Sequence, residues 1–278
     1  MNNPLSSSRE NSASVATCAN SFDASPVSAD TGSAFAPHAV DRLRQFCESQ
    51  STRVFNARGI ALQRCPSCML GHNTCICAWR KPTASTIDFV LLMHRDEVYK
   101  PTNTGRLIAD LYPDQCQAFL WDRTRPDAEL LALLDDPGRH CQVVFPPRDR
   151  ETRIIETQVG APDNQRRPTV ILLDGTWKQA RKMYSQATWL RALPVLDLTD
   201  AMTELDQQLG HYKVRQACET GRLATAEAAA LCLQAAQDQA NVHHLLNYFT
   251  VFNEHYVATR MNRKPARLKA HCDLENSQ

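Results

Sequence analysis

Residues Thr169–Trp177 read TVILLDGTW and run directly into KQARKMYSQ, Lys178–Gln186. The block Val170–Leu173 is short, apolar and bounded by polar residues, which predicts a buried strand. Asp174-Gly175 then forms a short acidic turn, and the basic segment after it predicts a helix. Open parallel sheets bind ligands at the carboxyl ends of their strands. Asp174, Gly175, Thr176 and Trp177 therefore fall at the natural cleft. An aspartate there can hold an ammonium or a ribose hydroxyl, and glycine lets backbone approach a ligand. Tryptophan can stack on a base or a sulfonium. The same spacing also suits a structural role, with Trp177 in the core and Asp174 capping the helix.

Outward from this segment the chain keeps alternating. TIDFVLLMH (Thr86–His94), QCQAFLWD (Gln115–Asp122), CQVVFPP (Cys141–Pro147) and PVLDLTD (Pro194–Asp200) predict strands. TGRLIADLY (Thr104–Tyr112) and AELLALLDD (Ala128–Asp136) predict helices between them. An alanine-rich helix starts with Thr225 as N-cap and Glu227 in its first turn, where the helix dipole favours an anion. Another is expected over about Asn241 to Arg260. Strand–helix alternation of this kind implies an α/β fold, a mostly parallel sheet with helices on both faces.

Upstream, residues 39–63 hold a short amphipathic helix with Val40, Leu43 and Phe46 on one face. Cys65, Cys68, Cys75 and Cys77 follow, spaced C-x2-C…C-x-C within thirteen residues. Two close thiol pairs on turns made by Pro66, Gly71 and Asn73 can converge on a tetrahedral zinc ion. His72 is an alternative ligand in that knuckle. The organisation expected is a disordered head (1–38), a helix plus zinc knuckle (39–82), a catalytic domain (83–260) and a basic tail (261–278).

Bulk properties restrict the function classes. Hydrophobic residues are 43% and charged residues 22%, enough for a sizeable core. Lys+Arg is 31 against Asp+Glu 30, so any nucleic-acid contact must come from local basic patches. Such runs are Arg64, Arg80 and Lys81 at the knuckle, and Lys178, Arg181 and Lys182 after the turn. Arg260, Arg263, Lys264, Arg267 and Lys269 form a third in the tail. The serine-rich head lacks the basic start and apolar block of a secretory signal, and nothing approaches a membrane span. Eleven cysteines without an export signal lead us to expect a cytoplasmic protein with reduced thiols.

Asp174-Gly175-Thr176-Trp177 resembles the D-x-T-W signature of the DTW-domain family of tRNA-uridine aminocarboxypropyltransferases. The cysteine cluster has that family's form. Leu91–Ile108 resembles its strand–loop–helix with an Asn103-Thr104-Gly105 turn, and Thr225-Ala226-Glu227-Ala228 resembles its Ser/Thr-x-Glu-Ala element. The matches extend from about residue 58 to 255. The departure is Ala224, where the resemblance leads one to expect a serine.

The resemblance implies a SPOUT-like fold, of a type that is knotted, which no pattern in the residues suggests. It implies transfer of the 3-amino-3-carboxypropyl group of S-adenosylmethionine to N3 of a tRNA uridine. Asp174 becomes the candidate base, with Glu227 second. Asn103, Thr104, Gly105, Asp174, Gly175, Thr176, Trp177, Thr225 and Glu227 become candidate donor-binding residues. The Thr104–Gly105 amides, at a helix start, suit the donor's carboxylate. Competing readings are a SPOUT-like RNA methyltransferase, an aminocarboxypropyltransferase acting on ribosomal RNA, and a non-catalytic zinc-knuckle RNA-binding protein.

Overall fold

The two most apolar runs become the paired centre of the sheet. In the computed structural model, β1 (Asp88–Met93) lies parallel to β5 (Arg167–Asp174), in register from Asp88↔Thr169 to Met93↔Asp174. The structure describes residues 35–52, 62–147, 152–160, 165–208 and 223–277. The expected disorder of the head falls outside these, apart from its last four residues.

β2 (Cys116–Leu120) flanks β1. On the other side β5 is followed by β3 (Arg139–Val144), β6 (Val195–Leu196) and β4 (Ile155–Glu156). The order is β2-β1-β5-β3-β6-β4 and every pairing is parallel, so the expected α/β sheet is the observed one. At the amino ends Asp88 accepts from Arg139 and Arg167, both at 2.6 Å, which ties β1, β3 and β5 together away from the cleft.

Strand alternation splits the core in two. Phe89, Leu91, Met93, Val170 and Leu172 face one layer, built from α1 (Ala39–Ser49), α2 (Gly105–Leu111), α6 (Thr225–Ala235) and α7 (Gln239–Met261). Val90, Leu92, Ile171 and Val143 face the other, with α3 (Ala128–Leu134) and α4 (Trp177–Gln186). α6 is buried nearly all round, and its alanines let it lie close to both sheet and α7.

Several boundaries differ from expectation for identifiable reasons. The predicted strand Pro194–Asp200 keeps only Val195–Leu196, because α5 (Thr199–Gln208) starts there. Asp197 accepts from the Thr199 amide and hydroxyl, at 3.1 and 2.7 Å, and so turns the chain into a helix. In α1 Val40 and Cys47 are buried, whereas Phe46 is 57% exposed and leaves the face assigned to it.

The carboxyl-terminal residues are more than a basic tail. α8 (Lys269–Asn276) packs against α7 through Ala270, His271 and Leu274. Three of its region's cations are paired: Arg263 with Glu254 and Arg267 with Glu275, both at 2.6 Å, and Lys269 with Asp273 at 2.8 Å. That leaves the segment a weaker phosphate surface than its composition suggests. No described helix is long and apolar enough to cross a membrane.

Candidate active site

Strand parity decides where the signature aspartate goes. Asp174 shares the face of Val170 and Leu172, so it leaves β5 toward α2 and α6 and not toward the helix that follows it. It is 3% exposed. Asn103 Nδ2 donates to its Oδ2 and Thr225 Oγ1 donates to its Oδ1, each at 2.6 Å. Burial pushes its carboxyl up to about 6, although the Thr225 and Asn103 hydrogen bonds pull the other way. A carboxyl poised there can accept a proton near neutral pH.

The three separate segments meet on this group. Asn103 also accepts the Arg106 amide at 3.0 Å through its carbonyl oxygen, which fixes the start of α2 while its NH2 holds Asp174. Gly105 is required by proximity: a Cβ there would lie 2.6 Å from Asp174 Oδ2. The anion facing the start of α2 is therefore Asp174 itself. Thr104 Oγ1 accepts from the Ala226 amide at 3.3 Å, joining α2 to α6. Ala224, not Thr225, is the N-cap of α6. Ala224 offers no side-chain acceptor, and what remains of the cap is Glu227, whose carboxylate accepts from the Ala224 amide at 2.6 Å. The Thr225 hydroxyl is thereby left to Asp174.

The rest of the signature serves the opposite side. Thr176 caps α4, its hydroxyl accepting from the Gln179 amide at 3.4 Å while Gln179 Oε1 accepts from the Thr176 amide at 2.8 Å. Capping thus falls to Thr176 and frees Asp174. Trp177 is half-buried and stacks on Phe145, with ring centroids 5.4 Å apart and planes 7° from parallel.

His94 belongs to the rim and was not singled out from the sequence. It follows Met93, the partner of Asp174, and its amide donates to the Asp174 carbonyl at 2.8 Å. Its Nδ1 lies 3.0 Å from Gln179 Nε2. Glu97, paired to Lys100 at 2.6 Å, contributes a negative field at Asp174. Position at a strand's carboxyl end was the signal that could have identified His94.

The four knuckle sulfurs, of Cys65, Cys68, Cys75 and Cys77, lie within 4.8 Å of one another, and His72 is exposed outside the group. Cys65 and Cys77 are 3.7 Å apart, as are Cys68 and Cys75. Tetrahedral Zn–S bonds of about 2.3 Å require S···S spacings of roughly 3.8 Å, so the set could hold zinc. The turn is shaped by Met69, at φ 60°, whose amide donates to the Cys65 carbonyl at 2.9 Å.

Arg106 gives an independent indication. It is 1% exposed, donates through Nη1 to the Ser67 carbonyl at 3.0 Å, and its Nε and Nη2 have no partner among the described residues. Its charge acts on Cys68 and Asp110. A buried guanidinium calls for negative charge beside it, and four thiolates around Zn²⁺ carry a net charge of about −2. Below it Asp110 binds His38, Arg80 and Tyr248 at 3.2, 3.1 and 3.1 Å. Burial alone would raise the Asp110 carboxyl, but His38 and the two arginines hold it low.

A parallel α/β domain with a buried carboxylate at its central strand's carboxyl end, and a cysteine knuckle docked on the adjoining helix, is thus the class of protein defined. The DTW domain family matches residues 62–257, and the chain belongs to that family. It is similar to tRNA-uridine aminocarboxypropyltransferase 2 of Drosophila melanogaster, 26% identical over 66% of this chain and 70% of the fly protein. The mouse protein of the same name is 25% identical over 61% of this chain and 55% of its own length. No solved structure gives a significant match.

Proposed function

We propose that the protein is a tRNA-uridine aminocarboxypropyltransferase using S-adenosylmethionine as donor. In the reaction a bond forms between uridine N3 and the γ-methylene of the methionine moiety. The sulfur–γ-carbon bond breaks, methylthioadenosine leaves, and the N3 proton passes to a base. The sulfonium is activated already, so the enzyme's task is to orient the γ-carbon toward the nucleophile.

The observation that carries this reading is the Asp174 carboxylate, held by Asn103 and Thr225 at the carboxyl end of β5. With its carboxyl near 6 it is mostly ionised at neutral pH and is the base we assign to N3. Glu227 caps its own helix, which supports Asp174 over it. Gly175 and Trp177, both partly exposed, offer a close backbone approach and a stacking ring to the donor or the uridine. We assign Asn103, Thr104, Gly105, Thr176, Thr225 and Glu227 to shaping that donor site. Zinc, through Cys65, Cys68, Cys75 and Cys77, is structural, because four thiolates leave no position open. The names of the fly and mouse relatives support tRNA as substrate. The free thiols of the described cysteines accord with a cytoplasmic location.

The test is incubation of the purified chain with unmodified tRNA and S-adenosylmethionine, followed by nucleoside mass spectrometry. Aminocarboxypropyl-uridine with an equal yield of methylthioadenosine is expected. Methylated uridine with S-adenosylhomocysteine would replace this reading by a methyltransferase, and a product on ribosomal RNA alone would change the substrate.

A further inference from the structure

Beside α4 lie two hollows that share Ser185 and do not include Asp174, and Trp177, offered above to the donor or the uridine, lines the nearer one. Phe145, Trp177 and Arg181 line one of about 480 Å³. Arg123, Trp189 and Arg191 line the other, of about 540 Å³, and Ser185 lines both. They form one track beside α4, whose ten residues span about 15 Å from the signature turn.

Charge along this track is one-sided. From Trp177 to Leu193 the chain carries Lys178, Arg181, Lys182 and Arg191 and no acid. These four and Arg123 are exposed, and none has an ion-pair partner among the described residues. On the facing loop the Asp122 carboxylate is engaged by its own turn, accepting the Thr124 and Arg125 amides at 2.8 and 2.7 Å. Asp127 accepts the Glu129 amide at 2.8 Å as the cap of α3. Each end of the track also carries a half-buried tryptophan, and Trp189 is fixed by its Nε1 donating to the Asp122 carbonyl at 3.3 Å.

Unpaired cations interleaved with aromatic rings match single-stranded nucleic acid, whose phosphates take the charges while its bases stack. We propose that this track binds an unpaired segment of the substrate RNA flanking the reacting uridine. Arg123 and Arg191 hold its phosphates, and Trp189 stacks a base about one α4 length from the signature turn. The proposal rests on the tRNA reading above and deepens it: substrate choice then depends on an unpaired neighbour and not on the uridine alone.

The test measures binding of the full chain to unmodified tRNA by fluorescence anisotropy across about 50–200 mM salt. Arg123→Ala combined with Arg191→Ala should weaken binding about tenfold or more, and should flatten the log K against log salt slope by roughly 1.4, two single-strand contacts. Trp189→Leu, checked for folding by circular dichroism, should weaken binding with the slope unchanged. Wild-type affinity and slope in the arginine pair would overturn the track, including the case where it takes an acidic protein instead. If the wild-type chain makes no aminocarboxypropyl product yet the arginine pair loses affinity, the track stands and the transferase reading falls. If product forms and the arginine pair changes neither affinity nor KM, only the track falls.

Discussion

Asn103 Nδ2 donates to Asp174 Oδ2 at 2.6 Å across 71 residues of chain. The bond joins the loop before α2 to the end of β5, so the carboxylate is set by two elements at once. It is a desolvated acid that the fold tolerates at a cost in stability.

That cost is measurable. The carboxyl titrates near 3.8 unfolded and about 6 folded, so between these values the unfolded chain loses its proton first and stability falls as pH rises. The limit is roughly 3 kcal/mol above pH 6. Asp174→Asn, whose oxygen can accept from Asn103 Nδ2 while its NH2 donates to the Thr225 hydroxyl, should melt higher than wild type at pH 8 and like it below pH 4. Its transfer rate should drop at least about a hundredfold. Thermal melts at the two pH values and a tRNA modification assay decide it; retained activity would reduce the turn to a structural element.

If Asp174 takes the N3 proton, the single-turnover rate should rise with pH through about 6 and then level. Thr225→Val removes a hydrogen bond that favours the charged form, so the inflection should move to higher pH. Thr225→Ser should restore it. A profile indifferent to both changes would assign the proton to another group.

Gly105→Ala places a methyl 2.6 Å from Asp174 Oδ2. The neighbour is a buried carboxylate with no free direction, so α2 must shift. The expected result is a loss of about 1–3 kcal/mol with a fall in kcat, read by denaturant melts and steady-state kinetics. Gly138→Ala, near an exposed turn, serves as the comparison and should leave kcat unchanged.

Arg106→Met should weaken zinc retention about 10–100-fold in competition with a chromogenic chelator, because the thiolates lose the cation beside them. Cys65→Ser combined with Cys75→Ser should abolish zinc outright in metal analysis of the purified chain. Full zinc content in the double cysteine variant would rule out the knuckle as its site.

The parts of this fold visible in the sequence are those specified by local pattern. Val90–Leu92 and Val170–Leu172 are buried on both faces, and a continuous apolar run is what that environment selects. β4 gave no such signal: it has two residues, and Ile154 beside it is 71% exposed. The knuckle spacing was legible because its four cysteines are neighbours in sequence. Asp174 could be placed at the carboxyl end of its strand, but neither its burial nor its bonds to Asn103 and Thr225 could, since tertiary packing alone unites them. Arg106 reads as an ordinary helix cation, and only the fold reveals that it is buried beside Cys68.

Gly105 and Arg106 are consecutive residues of α2, one against Asp174 and the other beside the cysteine knuckle. If the knuckle holds the proposed structural zinc, a chelator would therefore inhibit this protein and give it the outward behaviour of a metalloenzyme, with an ion that never meets a substrate. Reconstitution distinguishes the two cases. Any thiophilic ion that fills a sulfur tetrahedron, cadmium included, would restore the same rate with the same pH profile, whereas an ion that took part in the chemistry would leave its own acidity in that profile.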